Sequence, residues 1–432
     1  MRVWLKRQVY RHLTSSARRD QKRRSEENRR ESRNEPHRLS YFHRPGDPHS
    51  ALMSEMIAQL EARYDVKIDV YLTALPEQDV SPEPDRLQAF ARRDCSALAE
   101  LYGLNFTDPG QKPDQVLMDR AASILTTALD SPQALQAAMD TDRALWTNDP
   151  AAMEDAALKF GQVDNFEAKK AARAGSRLRD QLGHFQSGSL HYAGEWYWGV
   201  DRLHYLEARL KALGVHNNQS DIETLSPPLL EGSETGNATG AVLEVYPSLR
   251  SPYSYLAMER AFALAQRWQA QVDIRFVLPM VMRNLPVPQR KGVYFLLDAK
   301  READRLDMPF GNICDPLGKP TERGLAVLHY AISQDSGQSF LTSFLRGVWA
   351  EGVNAGSDKG LKFLSERAGL NWNGAKKSLE NSAWRDVAEE NRTRLGDLGL
   401  WGVPSFRVGD FSVWGQDRLW MVEQALAERA HA

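Results

Sequence analysis

Leu243 to Phe276 reads LEVYPSLRSPYSYLAMERAFALAQRWQAQVDIRF, and this stretch decides the fold because the chain contains it twice. At an offset of 204 residues upstream, Leu39 to Leu72 reads LSYFHRPGDPHSALMSEMIAQLEARYDVKIDVYL, and 8 of 34 positions agree without a gap. Asp94 and Phe106 keep that offset to Asp298 and Phe310. Later in each copy, Leu182 to Leu203 matches Leu398 to Leu419 at an offset of 216, with 8 of 22 positions identical. These include Trp198/Trp414, Gly199/Gly415, Asp201/Asp417 and Arg202/Arg418. The change of offset is a net insertion of 12 residues inside the second copy. Order, offset and pattern kept together read as a tandem duplication.

Local patterning gives each copy its layout. In the second, the apolar run Val242–Tyr246, a helix from Pro252 to about Trp268 and a further run Val272–Leu278 predict a βαβ unit. Such a unit implies parallel strands joined by a right-handed crossover. A helical block follows from about Arg290 to Leu395, broken near Cys314–Pro320 and Asn354–Asp358. Ser405–Val408, a Gly409-Asp410 turn and Phe411–Trp414 read as a β-hairpin before a final helix from about Gln416. A βαβ unit and a ββα unit flanking a helical insertion is a thioredoxin-like layout. The expected fold class is therefore α/β: two tandem thioredoxin-like lobes, each with a helical insertion, preceded by a basic N-terminal arm.

Composition agrees with more than one soluble core. The 432 residues exceed what a single core usually supports, and 42% apolar with 26% charged residues excludes disordered and collagen-like classes. No apolar run approaches the ~18 residues of a membrane span. Two cysteines, Cys95 and Cys314, cannot build a disulfide framework, a CxxC centre or a Cys-rich metal site. The ten histidines lack HExxH or paired-helix spacing, so no metal is expected. A net charge of −2 conceals an uneven distribution: residues 1–38 hold thirteen Lys/Arg and five Asp/Glu, the rest 42 against 52. Arg18 to Arg33 is nearly all charged and cannot bury a core, which leaves a solvated helix or disorder. With no apolar signal region, and with glutamates that oppose a transit peptide, a cytoplasmic location is expected. A nucleic-acid or membrane-surface role rests on charge alone and nothing beyond charge supports it, so a solvated arm is the reading and no nucleic-acid partner is expected. Residues 214–240 have linker composition. The expected domains are the arm 1–38, a first lobe 39–213, the linker 214–240 and a second lobe 241–429.

Four stretches of the second lobe carry a resemblance: Ser251-Pro252-Tyr253-Ser254-Tyr255-Leu256-Ala257, Asn284 to Tyr294 with Asp298 following, Gly402-Val403-Pro404-Ser405-Phe406, and Trp414-Gly415-Gln416-Asp417-Arg418-Leu419. In that order they resemble the 2-hydroxychromene-2-carboxylate isomerases and kappa-class glutathione transferases, a branch of the DsbA-like thioredoxin fold. The first lobe resembles the same family more faintly. The resemblance implies glutathione as cofactor and a small electrophilic or aromatic substrate. It also implies a pairing of domains, within one chain or between chains.

Residue chemistry is consistent with that implication. Ser251 before Pro252 is an N-cap followed by proline at the first helical position. A helix N-terminus favours an anion, and a serine hydroxyl donating to a thiolate lowers the thiol pKa. In DsbA-type redox proteins a CxxC occupies this place; Ser-Pro-Tyr-Ser excludes dithiol exchange here. The resemblance places Pro404 at a cis-proline position, with Val403 offering its N–H and C=O to the cysteinyl backbone of glutathione. It likewise implies glutathione contacts for Asn284, for Lys291 with the glycyl carboxylate, and for Gln416 and Asp417 with the γ-glutamyl end. Three have plainer alternatives: Ser251 caps a helix, Pro404 opens a strand, and Asp417 pairs with Arg418, a pair the first lobe keeps as Asp201-Arg202. Trp196, Trp198, Trp401 and Trp414 read as core packing. The first lobe departs from the pattern, with Asp47 opposite Ser251, Leu87 opposite Lys291 and Gly188 opposite Pro404. A carboxylate there would raise a thiol pKa, so this lobe is expected to be non-catalytic. Two functions follow: a glutathione-dependent isomerase or transferase with one working site in the second lobe, or a catalytically silent scaffold that binds a partner.

Overall fold

A computed structural model of the chain describes residues 2–77, 80–215, 217, 225–227 and 229–431. Two helices come first, α1 (Arg2–Leu13) and α2 (Ser16–Ser32). α2 buries none of its residues, as its composition requires, and is held by charge: Arg23 donates two hydrogen bonds to the Glu195 carboxylate at 2.6 and 2.7 Å.

The first lobe opens with β1 (His37–His43), α3 (Pro48–Arg63) and β2 (Val66–Leu72). Five helices are inserted next: α4 (Pro84–Tyr102), α5 (Gln115–Ala128), α6 (Ala134–Trp146), α7 (Pro150–Phe160) and α8 (Asn165–Gln181). The hairpin β3 (Ser189–Tyr192) and β4 (Glu195–Trp198) and helix α9 (Leu203–Ala212) close it. Strand order is β2-β1-β3-β4, with β1 parallel to β2 and antiparallel to β3. Leu39, Tyr41, Leu52, Ile57, Leu60, Ile124, Leu190 and Tyr197 form the fully buried centre.

The second lobe repeats the scheme with β5 (Val242–Tyr246), α10 (Pro252–Arg267) and β6 (Gln271–Ile274). Its inserted helices are α11 (Gln289–Arg305), α12 (Lys319–Ile332), α13 (Gly337–Arg346), α14 (Asp358–Arg367), α15 (Trp372–Lys377) and α16 (Trp384–Asp397). A π-helical turn at Gly347–Glu351 extends α13. The hairpin β7 (Ser405–Val408) and β8 (Phe411–Trp414) and helix α17 (Leu419–His431) complete it, in the order β6-β5-β7-β8.

Both lobes share one pair of serine-hydroxyl bonds and one pair of backbone bonds. The hydroxyl of Ser50 accepts from Arg44 N–H, and that of Ser254 accepts from Ser248 N–H, each at 3.2 Å. Gly199 N–H donates to Gly188 C=O, and Gly415 N–H to Pro404 C=O, each at 3.0 Å. Proline opens α3 and α10 at the first turn, where its missing N–H costs nothing.

Two boundaries differ from expectation. β6 ends at Ile274 rather than Leu278, because β5 runs into Pro247, whose missing N–H cannot extend a ladder. α17 starts at Leu419 rather than Gln416, since Gly415 and Arg418 first close a turn.

The chain divides into two compact units: Asp20–Pro228 with Pro288–Tyr294, and Met1–Arg19 with Leu229–Val287 and Phe295–Ala432. The arm 1–38 is thus shared, and so is α11. The first turns of α11 belong with the first lobe and the remainder with the second. Of the linker 214–240, residues 216, 218–224 and 228 lie outside the described residues. Glu231, near its end, is paired with Arg260 of α10. No helix among the described residues is long and apolar enough to cross a membrane. No group of three or more His, Cys, Asp or Glu among them is placed to hold a metal.

Candidate functional site

At the start of α10, Ser251 has the extended backbone of an N-cap, φ −98° and ψ 118°. Its hydroxyl accepts from Ser254 N–H at 3.1 Å, which uses one lone pair on an otherwise orphaned helix donor. The same hydroxyl donates to Val403 C=O at 3.4 Å, a long and weak bond. Val403 is joined to Pro404 by a cis peptide bond. Among the described residues the Val403 amide has no protein acceptor. Ser251, Val403 and Pro404 are therefore brought together at one helix N-terminus.

The loop before the helix is fixed by backbone and charge. Ser251 N–H donates to Ser248 C=O at 3.0 Å, and the Arg250 guanidinium donates to both Asp315 oxygens at 2.9 and 3.2 Å. On the first turn of α10, the Tyr253 hydroxyl donates to Asp298 at 2.9 Å, and its ring meets Phe295 edge-on. Arg301, one turn along α11, donates to the other Asp298 oxygen at 2.9 Å. Asp298 is 2% exposed, so this pairing is what allows a carboxylate there.

The remaining expected residues are placed differently. Gln416 is 1% exposed and both ends of its amide are engaged: Nε2 donates to Glu302 at 2.8 Å, and Oε1 accepts from Arg260 at 3.1 Å. Its side chain is a strut between α10 and α11. Asp417 pairs with Arg418 at 3.4 Å, as Asp201 does with Arg202 at 3.8 Å in the first lobe. Asn284 is exposed, at the left-handed end of a short 3-10 turn with φ 60°. Lys291 falls in the unit of the first lobe, where its ammonium donates to Val80 C=O at 2.8 Å and lies 5.6 Å from the Phe185 ring.

Arg260, Arg301 and Glu302 were not singled out from the sequence, and Tyr253 and Asp298 entered only within the repeat and the stretches that carry the resemblance. Asp298, Arg301, Glu302 and Arg305 recur at helical spacing, which by itself reads as a solvated charged face. Glu302 is instead fully buried, with Arg305 and Gln416 as partners at 3.0 and 2.8 Å.

Both cysteines are free and buried. Burial raises the Cys314 thiol pKa, with Asp315 adding to the rise and Arg7 opposing it. Cys95 is fully buried, 3.3 Å from His49 Nδ1.

Residues 242–427 match the family model of the DSBA-like thioredoxin domain, and the second lobe is a DsbA-like thioredoxin domain. Within that class the chain is similar to the 2-hydroxychromene-2-carboxylate isomerase of Pseudomonas putida, 23% identical over 193 residues, which are 43% of this chain and 94% of that protein. The enzyme of the same name from Sphingobium xenophagum is 24% identical over 194 residues, 43% of this chain and 98% of that protein. A solved 2-hydroxychromene-2-carboxylate isomerase aligns with a TM-score of 0.37 at 24% identity, covering 43% of this chain and 95% of that one.

Proposed function

We propose that the second lobe is a glutathione-dependent enzyme, an isomerase of the 2-hydroxychromene-2-carboxylate type or a kappa-like transferase, with Ser251 stabilising the glutathione thiolate. One observation carries the reading: the Ser251 hydroxyl sits at a helix N-terminus beside the cis Val403–Pro404 peptide. The long bond to Val403 C=O leaves its proton readily redirected to a stronger, charged acceptor. The helix end adds a positive field, and both effects favour thiolate over thiol near neutral pH. The Val403 amide is free to pair with an extended peptide backbone, which suits the cysteinyl residue of glutathione. Asp298, itself neutralised by Arg301, holds the Tyr253 hydroxyl beside this turn. Bound glutathione would supply a thiolate that adds to an α,β-unsaturated ketone and is eliminated after bond rotation, or remains on the product of a transferase.

The fit is partial. Gln416 and Lys291 are committed elsewhere, so the ends of the tripeptide would rely on Asp417, Asn284 and backbone groups. That commitment favours a second reading, a non-catalytic scaffold. We also read the two lobes as a tandem duplication whose first copy has lost the site; the paired offsets and matching backbone bonds support it. Calorimetric titration of the full chain with reduced glutathione, beside Ser251→Ala, tests the proposal. One site per chain with an ultraviolet thiolate band absent from the variant is expected. No binding at millimolar glutathione leaves the scaffold.

A further inference from the structure

The basic arm gains a second property once folded. α1 carries Arg2, Lys6, Arg7 and Arg11 and no acidic residue. One side is anchored: Arg7 donates to Asn312 at 3.0 Å, Tyr10 to Asp315 at 3.3 Å, and Thr14 just beyond is 5% exposed. At about 100° per residue, Leu5 and Val9 fall on the side opposite Arg7 and Tyr10, and Trp4 lies on the flank between. Trp4, Leu5 and Val9 are 61%, 59% and 50% exposed. Lys6, Arg11 and His12 are exposed around them. Following in the chain, α2 exposes Arg18, Arg24 and Arg29.

We propose that α1 lies on an anionic phospholipid surface, with Trp4, Leu5 and Val9 entering the headgroup–acyl boundary and Lys6 and Arg11 meeting lipid phosphates. The chemistry selects this partner over others. A helix that exposes tryptophan and aliphatic side chains bordered by Arg11 and Lys6 matches an interface that is apolar below and anionic above. Duplex nucleic acid would use the cations but gives leucine and valine nothing to bury against. The attachment is peripheral, since twelve residues are too few to span.

Co-sedimentation of the full chain with phosphatidylcholine vesicles, with and without phosphatidylserine, tests this. Binding only to the phosphatidylserine vesicles is expected, weakening as salt screens the charges. Trp4→Ala/Leu5→Ala/Val9→Ala should reduce it by about tenfold or more, which follows from the loss of buried apolar area. Lys6→Glu/Arg11→Glu, which keeps the apolar face, should abolish it. These substitutions lie on exposed positions, so circular-dichroism melting should match the parent. The proposal is overturned if the triple variant binds as the parent does, if phosphatidylserine vesicles are not bound, or if a duplex DNA of equal charge is bound in preference to them.

Discussion

At the start of α3 the capping oxygen belongs to Asp47; at the start of α10 it belongs to Ser251. Asp47 is saturated: one oxygen accepts from the amide and hydroxyl of Ser50 at 3.2 and 2.6 Å, while Arg44 lies 3.5 Å from the other. Ser251 keeps a weakly used hydroxyl proton. Facing α3 is Gly188, at φ +61°, where an added Cβ would lie 3.0 Å from His49 C and Ser50 N. Facing α10 is the Val403–Pro404 turn. The first lobe has therefore sealed its helix end with backbone and carboxylate, whereas the second presents an adjustable donor. The frame common to both lobes combines the Ser50 and Ser254 hydroxyl bonds with the main-chain bonds Gly199–Gly188 and Gly415–Pro404.

Behind the sealed end lies a buried polar cluster. His43 Nε2 is 3.6 Å from Asp142, and Tyr41 O–H donates to Ser50 C=O while lying 3.0 Å from His43 Nδ1. With the tyrosine proton so used, His43 Nδ1–H donates to the tyrosine oxygen, while Nε2 and the facing Asp142 oxygen, 3.6 Å apart, have no hydrogen-bond partner among the described residues. Burial drives both groups the same way electrically, raising the Asp142 pKa and lowering that of His43 to about 3. Val245 and Pro247 stand where Tyr41 and His43 do in the first lobe.

The sharpest way to erase the difference is Ser251→Asp, which gives the second lobe the first lobe's cap. Glutathione-dependent turnover should fall by about 100-fold or more, since a carboxylate destabilises an adjacent thiolate. Melting should hold, because aspartate caps as well as serine.

Next is Glu244, whose position in the first lobe is Ser40. Burial alone would raise its pKa, but bonds from Arg394 and Tyr246 and the charge of Arg407 bring it to about 2. A folded pKa below the ordinary 4.5 means its stabilisation is present above pH 4.5 and is lost as pH falls toward 2. Glu244→Gln should cost about 2–4 kcal/mol at pH 7 in urea unfolding, and the deficit should shrink at pH 3. An equal deficit at both pH values would remove Glu244 from the account.

Gly188→Ala tests the seal from the other side. The left-handed φ and the 3.0 Å approach predict a loss of about 1–3 kcal/mol in the first lobe, with glutathione binding unchanged. Smallest is Tyr253→Phe, replacing a hydroxyl where the first lobe has His49. Asp298 retains Arg301, so stability should drop by about 1 kcal/mol. A larger fall would mean that Arg301 alone cannot satisfy the carboxylate.

Much of this was legible in the residues. Proline after Ser251 and Asp47 marked both helix starts, and the constant offsets marked both hairpins. Local signals sufficed there because caps and turns are decided by neighbours in sequence. They failed where partners are distant. Lys291 was aligned by motif to a ligand role, yet the unit into which a helix turn packs is not encoded in its spacing. Gln416 looked like an open helix-start residue until Arg260 and Glu302, more than 100 positions away, took its two ends. A charged helix face such as Asp298–Arg305 reads the same whether it meets water or buried counter-charges.

The engagement of Gln416 also makes it a clock. A donor at Oε1 and an acceptor at Nε2 forbid the 180° flip of its carboxamide, so the orientation is set by chemistry. Its two side-chain amide protons, sealed from solvent in the resting lobe, can be replaced by deuterium only when α10 and α11 part. Their exchange rate thus reports the free energy of parting α10 from α11, read at a single residue without any ligand present.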